Sequence, residues 1–271
     1  MKEVASGSAA ASSWTLSASG PEGSLPGPAG ASGSAEATLV QISPDQPYAL
    51  SESGGPATYV QIGQWACEDD VTGDPVEVSE ASEVEVGEEQ LVTCTVVNST
   101  AQITLLKEVA DGPAAAADWI LRATPEALDG LDEETVEGAQ YDPDGNPESS
   151  FEVRPGHAYT LEEELTNSDV PSTYRQVGLE ILNEDGSWSE VASEQITAPE
   201  AGSEAVYRFV NRMSSSIVLP LTGGTGAYLY YFVGGGLLLA VLVFGGIARL
   251  RRSRSAHGSN AESRAQEAQE E

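Results

Sequence analysis

Few side chains in this sequence could take part in covalent or acid–base chemistry. The chain has two cysteines, Cys67 and Cys94, and two histidines, His157 and His257. These residues do not supply a Ser/His/Asp, Cys/His or zinc-binding set, so we expect no enzyme activity and no cofactor. The thiols can still be oxidised to a disulfide, which needs a compartment outside the cytosol. Each lies in a predicted β-strand, at 59–67 and 90–97, so the bond would join neighbouring strands; two buried free thiols are the alternative.

An acidic segment at 142–146, with the sequence DPDGN, has side-chain oxygens at alternate positions. Oxygens spaced in this way can converge on a hard cation such as Ca²⁺. A plain turn explains the segment equally well, because glycine and proline favour turns and no full set of ligands follows. We therefore predict no metal site here.

The composition limits the partners of the protein. The 271 residues include 43 acidic and 12 basic side chains, for a formal net charge of −31. Such a charge repels the phosphates of nucleic acids, so we expect no nucleic-acid partner. The length allows two modest domains in addition to an anchor.

A long apolar segment occurs near the C-terminus. Residues 227–248 carry no charge, and as a helix they are long enough to cross a hydrocarbon layer of about 30 Å. Three tyrosines lie at the start of the segment and four arginines follow it, which predicts a transmembrane helix with the C-terminus in the cytoplasm. These residues are Tyr228, Tyr230, Tyr231, Arg249, Arg251, Arg252 and Arg254.

Immediately before this segment is the pentapeptide Leu219, Pro220, Leu221, Thr222 and Gly223. The order of motif, apolar span and basic tail resembles the LPxTG sorting signal of sortase substrates in Gram-positive bacteria. The resemblance implies cleavage after Thr222 and covalent attachment of its carbonyl to peptidoglycan, with the membrane as a contact before processing. Pro220 favours the extended peptide that a sortase would bind.

The rest of the chain contains an internal repeat. The motif KEVA at 2–5 recurs at 107–110, and the tryptophan of WTLSA at 14–18 recurs in WILRA at 119–123, both at an offset of 105. Alternating apolar runs, such as 38–42, 83–86 and 205–210, are separated by clusters of Gly, Pro, Asp and Ser. This pattern predicts an all-β fold with two tandem immunoglobulin-like β-sandwiches. The segments 21–34 and 129–147 are predicted surface loops.

A second resemblance lies within each repeat. Tyr48, Leu50, Glu52, Pro56 and Tyr59 have the spacing of the E-box in CnaB or SpaA-type prealbumin-like domains of Gram-positive pilins and adhesins. A looser copy, with a four-residue insertion before its proline, contains Tyr159, Leu161, Glu163, Pro171 and Tyr174. The resemblance implies a prealbumin-like fold for both sandwiches.

In that family a lysine of the first strand and an asparagine of the last strand form an isopeptide bond, assisted by the E-box glutamate. The resemblance therefore implies two candidate crosslinks, formed by Lys2, Glu52 and Asn98, and by Lys107, Glu163 and Asn211. Surface lysines, solvated glutamates and strand-ending asparagines are the alternative. At the positions aligned with the two cysteines, the second repeat has Leu182 and Tyr207, so we expect the two units to be stabilised differently.

These observations predict four regions. They are a first prealbumin-like sandwich at 1–100, truncated at its N-terminus, a second at 101–215, the sorting signal at 216–254 with its helix at 227–248, and a disordered cytoplasmic tail at 255–271.

The resemblances imply an exported structural stalk at the cell wall. The alternatives are a pilin subunit, a host-binding adhesin, or a spacer for an enzyme domain elsewhere in the protein. The start of the sequence has no apolar signal peptide, and Met1 aligns with Leu106 inside a predicted strand. We therefore expect further sequence upstream.

Overall fold

The structure is a computed structural model that describes residues 1–170 and 173–214. The sorting motif at 219–223, the predicted helix at 227–248 and the tail lie outside the described residues. Within the described ranges, no helix is long and apolar enough to cross a membrane. These ranges contain β-strands and short 3₁₀ helices and no α-helix, so the all-β prediction is confirmed for them.

The first sandwich consists of two four-stranded sheets, with strands numbered in chain order. One sheet has the order β1 (Lys2–Val4), β8 (Val92–Ser99), β5 (Val60–Asp69) and β6 (Pro75–Val76). The other has the order β3 (Ala29–Ala31), β2 (Trp14–Ser19), β4 (Pro47–Gly54) and β7 (Glu83–Glu85). The first and last strands, β1 and β8, are parallel neighbours.

The second sandwich repeats this plan with longer first and last strands and with one additional strand. One sheet has the order β12 (Ser150–Val153), β9 (Ala101–Asp111), β17 (Glu204–Met213), β14 (Tyr174–Leu182) and β15 (Trp188–Glu190). The other has the order β11 (Glu134–Glu137), β10 (Trp119–Pro125), β13 (Ala158–Leu165) and β16 (Gln195–Thr197). Here the first and last strands, β9 and β17, are again parallel neighbours.

The cores of the two sandwiches differ. In β10, Trp119, Leu121 and Ala123 point inward at alternate positions, as the period of a strand requires. They belong to one continuous apolar cluster that fills the second sandwich. The first sandwich instead has two smaller clusters, one around Trp14 and one around Tyr48.

The two sandwiches are joined almost directly. Strand β8 ends at Ser99 and β9 begins at Ala101, so only Thr100 separates them, and all three residues are buried. The Glu152 carboxylate of the second sandwich accepts hydrogen bonds from the Ser8 N–H at 2.6 Å and the Tyr59 hydroxyl at 2.9 Å. These bonds give the joint a fixed contact in addition to its short connection.

Two sequence predictions need correction. The predicted loops at 21–34 and 129–147 contain the short strands β3 and β11, which form because the edges of β2 and β10 are free to accept them. The predicted strand at 38–42 is absent, and Leu39 within it has a positive φ of 52°.

Candidate crosslinking sites

The second sandwich brings its three predicted residues together across both sheets. Lys107 on β9 pairs with Phe209 on the parallel strand β17, and Asn211 follows two residues later on the same face. Glu163 lies on β13 of the opposite sheet, where it pairs with Leu121. The lysine and asparagine thus come from one sheet and the carboxylate from the other.

One carboxylate binds both side chains in this site. The Lys107 ammonium donates to Oε2 of Glu163, and the Asn211 amide donates to Oε1 of the same carboxylate at 2.7 Å. Lys107 is 1% exposed and Asn211 2% exposed. A lysine so deeply buried is unusual without a partner, so the surface interpretation of these residues is wrong.

The first sandwich has the same arrangement. Lys2 Nζ donates to Oε2 of Glu52 at 2.6 Å, and the Asn98 amide donates to Oε1 at 2.9 Å. Lys2 and Asn98 are both buried. The position of Lys2 at the second residue of the chain therefore does not prevent it from reaching the interior.

A tryptophan covers each lysine, which the sequence interpretation did not include in the site. Lys2 Nζ lies 4.8 Å from the ring centroid of Trp14, and Lys107 Nζ lies 4.6 Å from that of Trp119. The signal was present, because these tryptophans recur at the same offset of 105 as the lysines. The rings exclude water from the amines and attract them while they are charged.

The second tyrosine of each E-box holds the tryptophan in place. Tyr59 packs edge-on against Trp14, and Tyr174 against Trp119, both with centroids 5.4 Å apart. The hydroxyl of Tyr174 lies against Gly112, where a Cβ would come within 2.0 Å of it. Pro171 of the second E-box lies outside the described residues.

Burial changes the acidity of both amines. Loss of solvent lowers the pKa of Lys107 to about 8, although the neighbouring Glu163 carboxylate acts in the opposite direction. The pKa of Lys2 is also lowered, again by loss of solvent and against the effect of Glu52. Both sites therefore favour the neutral, nucleophilic form of the amine more than water does.

Each asparagine has one unsatisfied atom. Oδ1 of Asn98 and Oδ1 of Asn211 are buried and have no hydrogen-bond partner among the described residues. An unpaired buried carbonyl costs about 1–3 kcal/mol. A rotation of the asparagine amide by 180° would bring Oδ1 to the glutamate. If the glutamate were protonated, its carboxyl could then donate to this oxygen and polarise the amide carbon.

Cys67 and Cys94 form a disulfide in the structure, with the sulfur atoms 1.99 Å apart. The two cysteines are paired residues of β5 and β8.

The positions aligned with these cysteines in the second sandwich need correction. There, Tyr207 pairs with Ile181 and not with Leu182. The alignment was wrong by one residue because β5 has a bulge that is one residue longer than the bulge in β14.

The acidic segment at 142–146 forms a turn whose side chains bond to its own backbone. The Asp144 N–H donates to Oδ1 of Asp142, and the Asp142 N–H donates to Oδ1 of Asn146, both at 2.9 Å. No group of three acidic, histidine or cysteine side chains within 1–170 and 173–214 is placed to hold a metal ion.

Comparison with known proteins identifies the fold of the first repeat. Residues 1–96 match the model of the SpaA-type prealbumin-like fold domain. The second sandwich has the same strand plan, so the prealbumin-like description applies to its sheets as well. No curated protein matches the chain.

Similar solved structures include the major pilin of Streptococcus pyogenes, with 11% identity over 78% of this chain and 95% of that chain, and a TM-score of 0.29. Another is the pilus adhesin SpaC of Lactobacillus rhamnosus GG in its open conformation, with 14% identity over 81% of this chain and 31% of that chain, and a TM-score of 0.36. These overall similarities are low, and the fold assignment rests on the family model and the sheets.

Proposed function

We propose that this protein is a structural stalk of the bacterial cell surface, without enzyme activity, in which each sandwich is closed by a Lys–Asn isopeptide bond. A sortase would attach the stalk to peptidoglycan through Thr222. The observation that supports the crosslinks is the pair of buried sites in which one carboxylate contacts both a lysine and an asparagine. The short, buried joint at Thr100 supports a role as a stiff spacer.

The chemistry of the crosslink follows from the contacts in each site. A proton moves from the Lys107 ammonium to the Glu163 carboxylate, which leaves a neutral amine and a protonated carboxyl. The amine nitrogen attacks Cγ of Asn211 while the carboxyl donates to the amide oxygen. The new C–N bond forms, the bond from Cγ to Nδ2 breaks, and Nδ2 leaves as ammonia with a proton returned through Glu163. The apolar surroundings favour the uncharged reactants.

Intact-mass measurement of the full chain tests the crosslinks. We expect the mass to be lower than that of the sequence by one ammonia for each bond, two in all. Asn211→Ala should remove one of these losses, and Glu163→Gln should do the same because it keeps the shape of the site but cannot take up the proton.

The Glu190→Gln variant, which changes a carboxylate on the edge strand β15 away from both sites, is the matched control and should keep both losses. If the measured mass equals the mass of the sequence, both in the starting chain and in Asn211→Ala, the crosslinks are contradicted. That result would leave the wall attachment to be judged separately.

The wall attachment is tested by Thr222→Ala in a sortase-containing Gram-positive host, with export supplied by a signal peptide. We expect the variant to be absent from purified peptidoglycan. Thr225→Ala, which changes a threonine just outside the motif, should remain attached. Covalent recovery of the Thr222→Ala protein with peptidoglycan would contradict sortase attachment at this residue.

A pilin subunit or host-binding adhesin is the second candidate, because the same stapled sandwiches would suit either. The printed sequence contains no YPKN lysine motif of the kind that links pilin shafts. This favours a stalk, or a terminal component, over a polymerising subunit.

A further inference from the structure

The last strands of the two sandwiches differ in what lies beside them. In the second sandwich, β17 is paired with β14 from Tyr207 to Met213 on one side, and on the other side with β9, where the ladder already begins at Glu204 and Gln102. In the first sandwich, β8 is paired with β5 from Val92 onward, but its pairing with β1 begins only at Val96. Residues 92–95 of β8 therefore present a largely free edge.

A second element of the first sandwich also lacks its neighbour. In the second sandwich, Val153 ends β12, and the next residue, Arg154, donates its N–H to the hydroxyl of Tyr159 at 3.0 Å. In the first, Ser43 donates in the same way to Tyr48 at 3.0 Å, so residues 39–42 are the counterpart of β12. Strand β12 exists by pairing with 101–104 of β9. Without such a partner, 39–42 is not a strand, and Leu39 is 82% exposed.

A cavity of about 870 Å³ lies between these two unpaired segments. Core side chains of both sheets line it, together with the segment at 39–42. They include Leu16, Tyr48, Trp65, Val84 and Val92. In the second sandwich the same region is filled by Ile103 and Leu105 of β9, both fully buried in the single core cluster. The cavity thus coincides with the division of the first core into two clusters.

We propose that this cavity is the acceptor site of an additional β-strand, uncharged and apolar at alternate positions, that leads into Lys2 from its N-terminal side. The strand lies parallel to β8 at 92–95 and antiparallel to 39–42, which it converts into a strand. It completes the sheet in the order that β12, β9 and β17 have in the second sandwich. This site does not depend on the crosslinks or on wall attachment.

The hydrogen bonds at Met1 indicate that the strand is continuous with Lys2. The Val96 N–H donates to the Met1 carbonyl at 3.1 Å, and the terminal amine of Met1 donates to the Cys94 carbonyl. The parallel pairing with β8 therefore already reaches Cys94. Residues that continue this pairing toward Val92 would be joined directly to the Met1 nitrogen. A separate strand in the same register would collide with the Met1 amine.

The test is a graft that supplies the strand from the second repeat. The sequence of residues 101–106, AQITLL, replaces Met1 directly before Lys2 in the full chain, after a new start methionine. Hydrogen exchange measured by mass spectrometry reports on the amides of 39–42, with those of 150–153 as an internal reference. We expect exchange at 39–42 to slow by at least about tenfold, because these amides would enter a ladder, while the reference is unchanged.

The matched control is the same graft with Ile103→Asp and Leu105→Asp made in the grafted copy only. Its length is the same, but it places charges in the apolar cavity, so it should leave exchange at 39–42 as fast as in the starting chain. Equal exchange with both grafts would overturn the proposal. Protection of 39–42 by a free AQITLL peptide, but not by the graft, would also overturn it.

Discussion

The two sandwiches of this protein share one arrangement of candidate crosslinking residues but differ in how the surrounding sheet is completed. Both place a lysine, a glutamate and an asparagine in the same contacts beneath a tryptophan. The second has a continuous core and no disulfide, whereas the first has a divided core and the Cys67–Cys94 bond. The site therefore depends on a few strand positions and does not require the whole core to be the same.

The largest expected effect is that of Asn211→Ala, which removes the only covalent staple proposed for the second sandwich. The lost bond closes a loop of about 100 residues, and by the relation used for covalent crosslinks it contributes about 4–5 kcal/mol to stability. Chemical denaturation followed by hydrogen exchange in peptides of the second sandwich, measured by mass spectrometry, checks this prediction.

Asn98→Ala is the comparison for that variant. Its effect should be smaller, because the disulfide still limits the unfolded chain of the first sandwich. Equal losses in both sandwiches would mean that the disulfide does not share the stabilising role of the crosslink.

The next effect is that of the disulfide. Replacing Cys67 and Cys94 together by alanine should destabilise the first sandwich by about 3–4 kcal/mol, since the loop it closes has a sequence separation of 27. The second sandwich should be unaffected. Protease digestion followed by peptide mapping distinguishes them, and early cleavage in both sandwiches would show that their stabilities are coupled through the joint.

The smallest effect is a pH dependence that appears only when the crosslink is absent. In Asn211→Ala the Lys107 amine is free, with a folded pKa of about 8 against 10.5 for the ordinary lysine. Between these values the unfolded state binds more protons, so stability should rise with pH, by on the order of 1–2 kcal/mol up to about pH 9.5. Below about pH 8 the cost of burying the charged amine is fully present.

Adding Lys107→Met to Asn211→Ala is the control for that titration and should remove the rise. The crosslinked protein should also lack it, because its lysine nitrogen is an amide. A rise that persists with methionine at this position would assign the titration to another group.

Sequence patterns were enough to predict an all-β fold, several of its strands, and the lysine, glutamate and asparagine of each site, but not the tryptophans that cover the lysines. The repeated KEVA motif, at an offset of 105, located the lysines, and the E-box spacing located the glutamates. Each motif consists of residues that lie close together in the sequence. The shift from Leu182 to Ile181 could not be predicted, since it depends on the length of a bulge. The absence of a strand at 38–42 could not be predicted either. Alternation of apolar and polar residues is a property of the segment alone, whereas a strand also needs a neighbouring strand to pair with.

The parallel pairing of first and last strands determines how a pulling force would pass through each sandwich. Tension enters the second sandwich along β9 and leaves along β17, and Lys107 and Asn211 lie on these two strands. With the proposed bond between them in place, the force would cross from one strand to the other through a covalent link. The chain between them, which contains most of the core, would then bear no load and could not be extended.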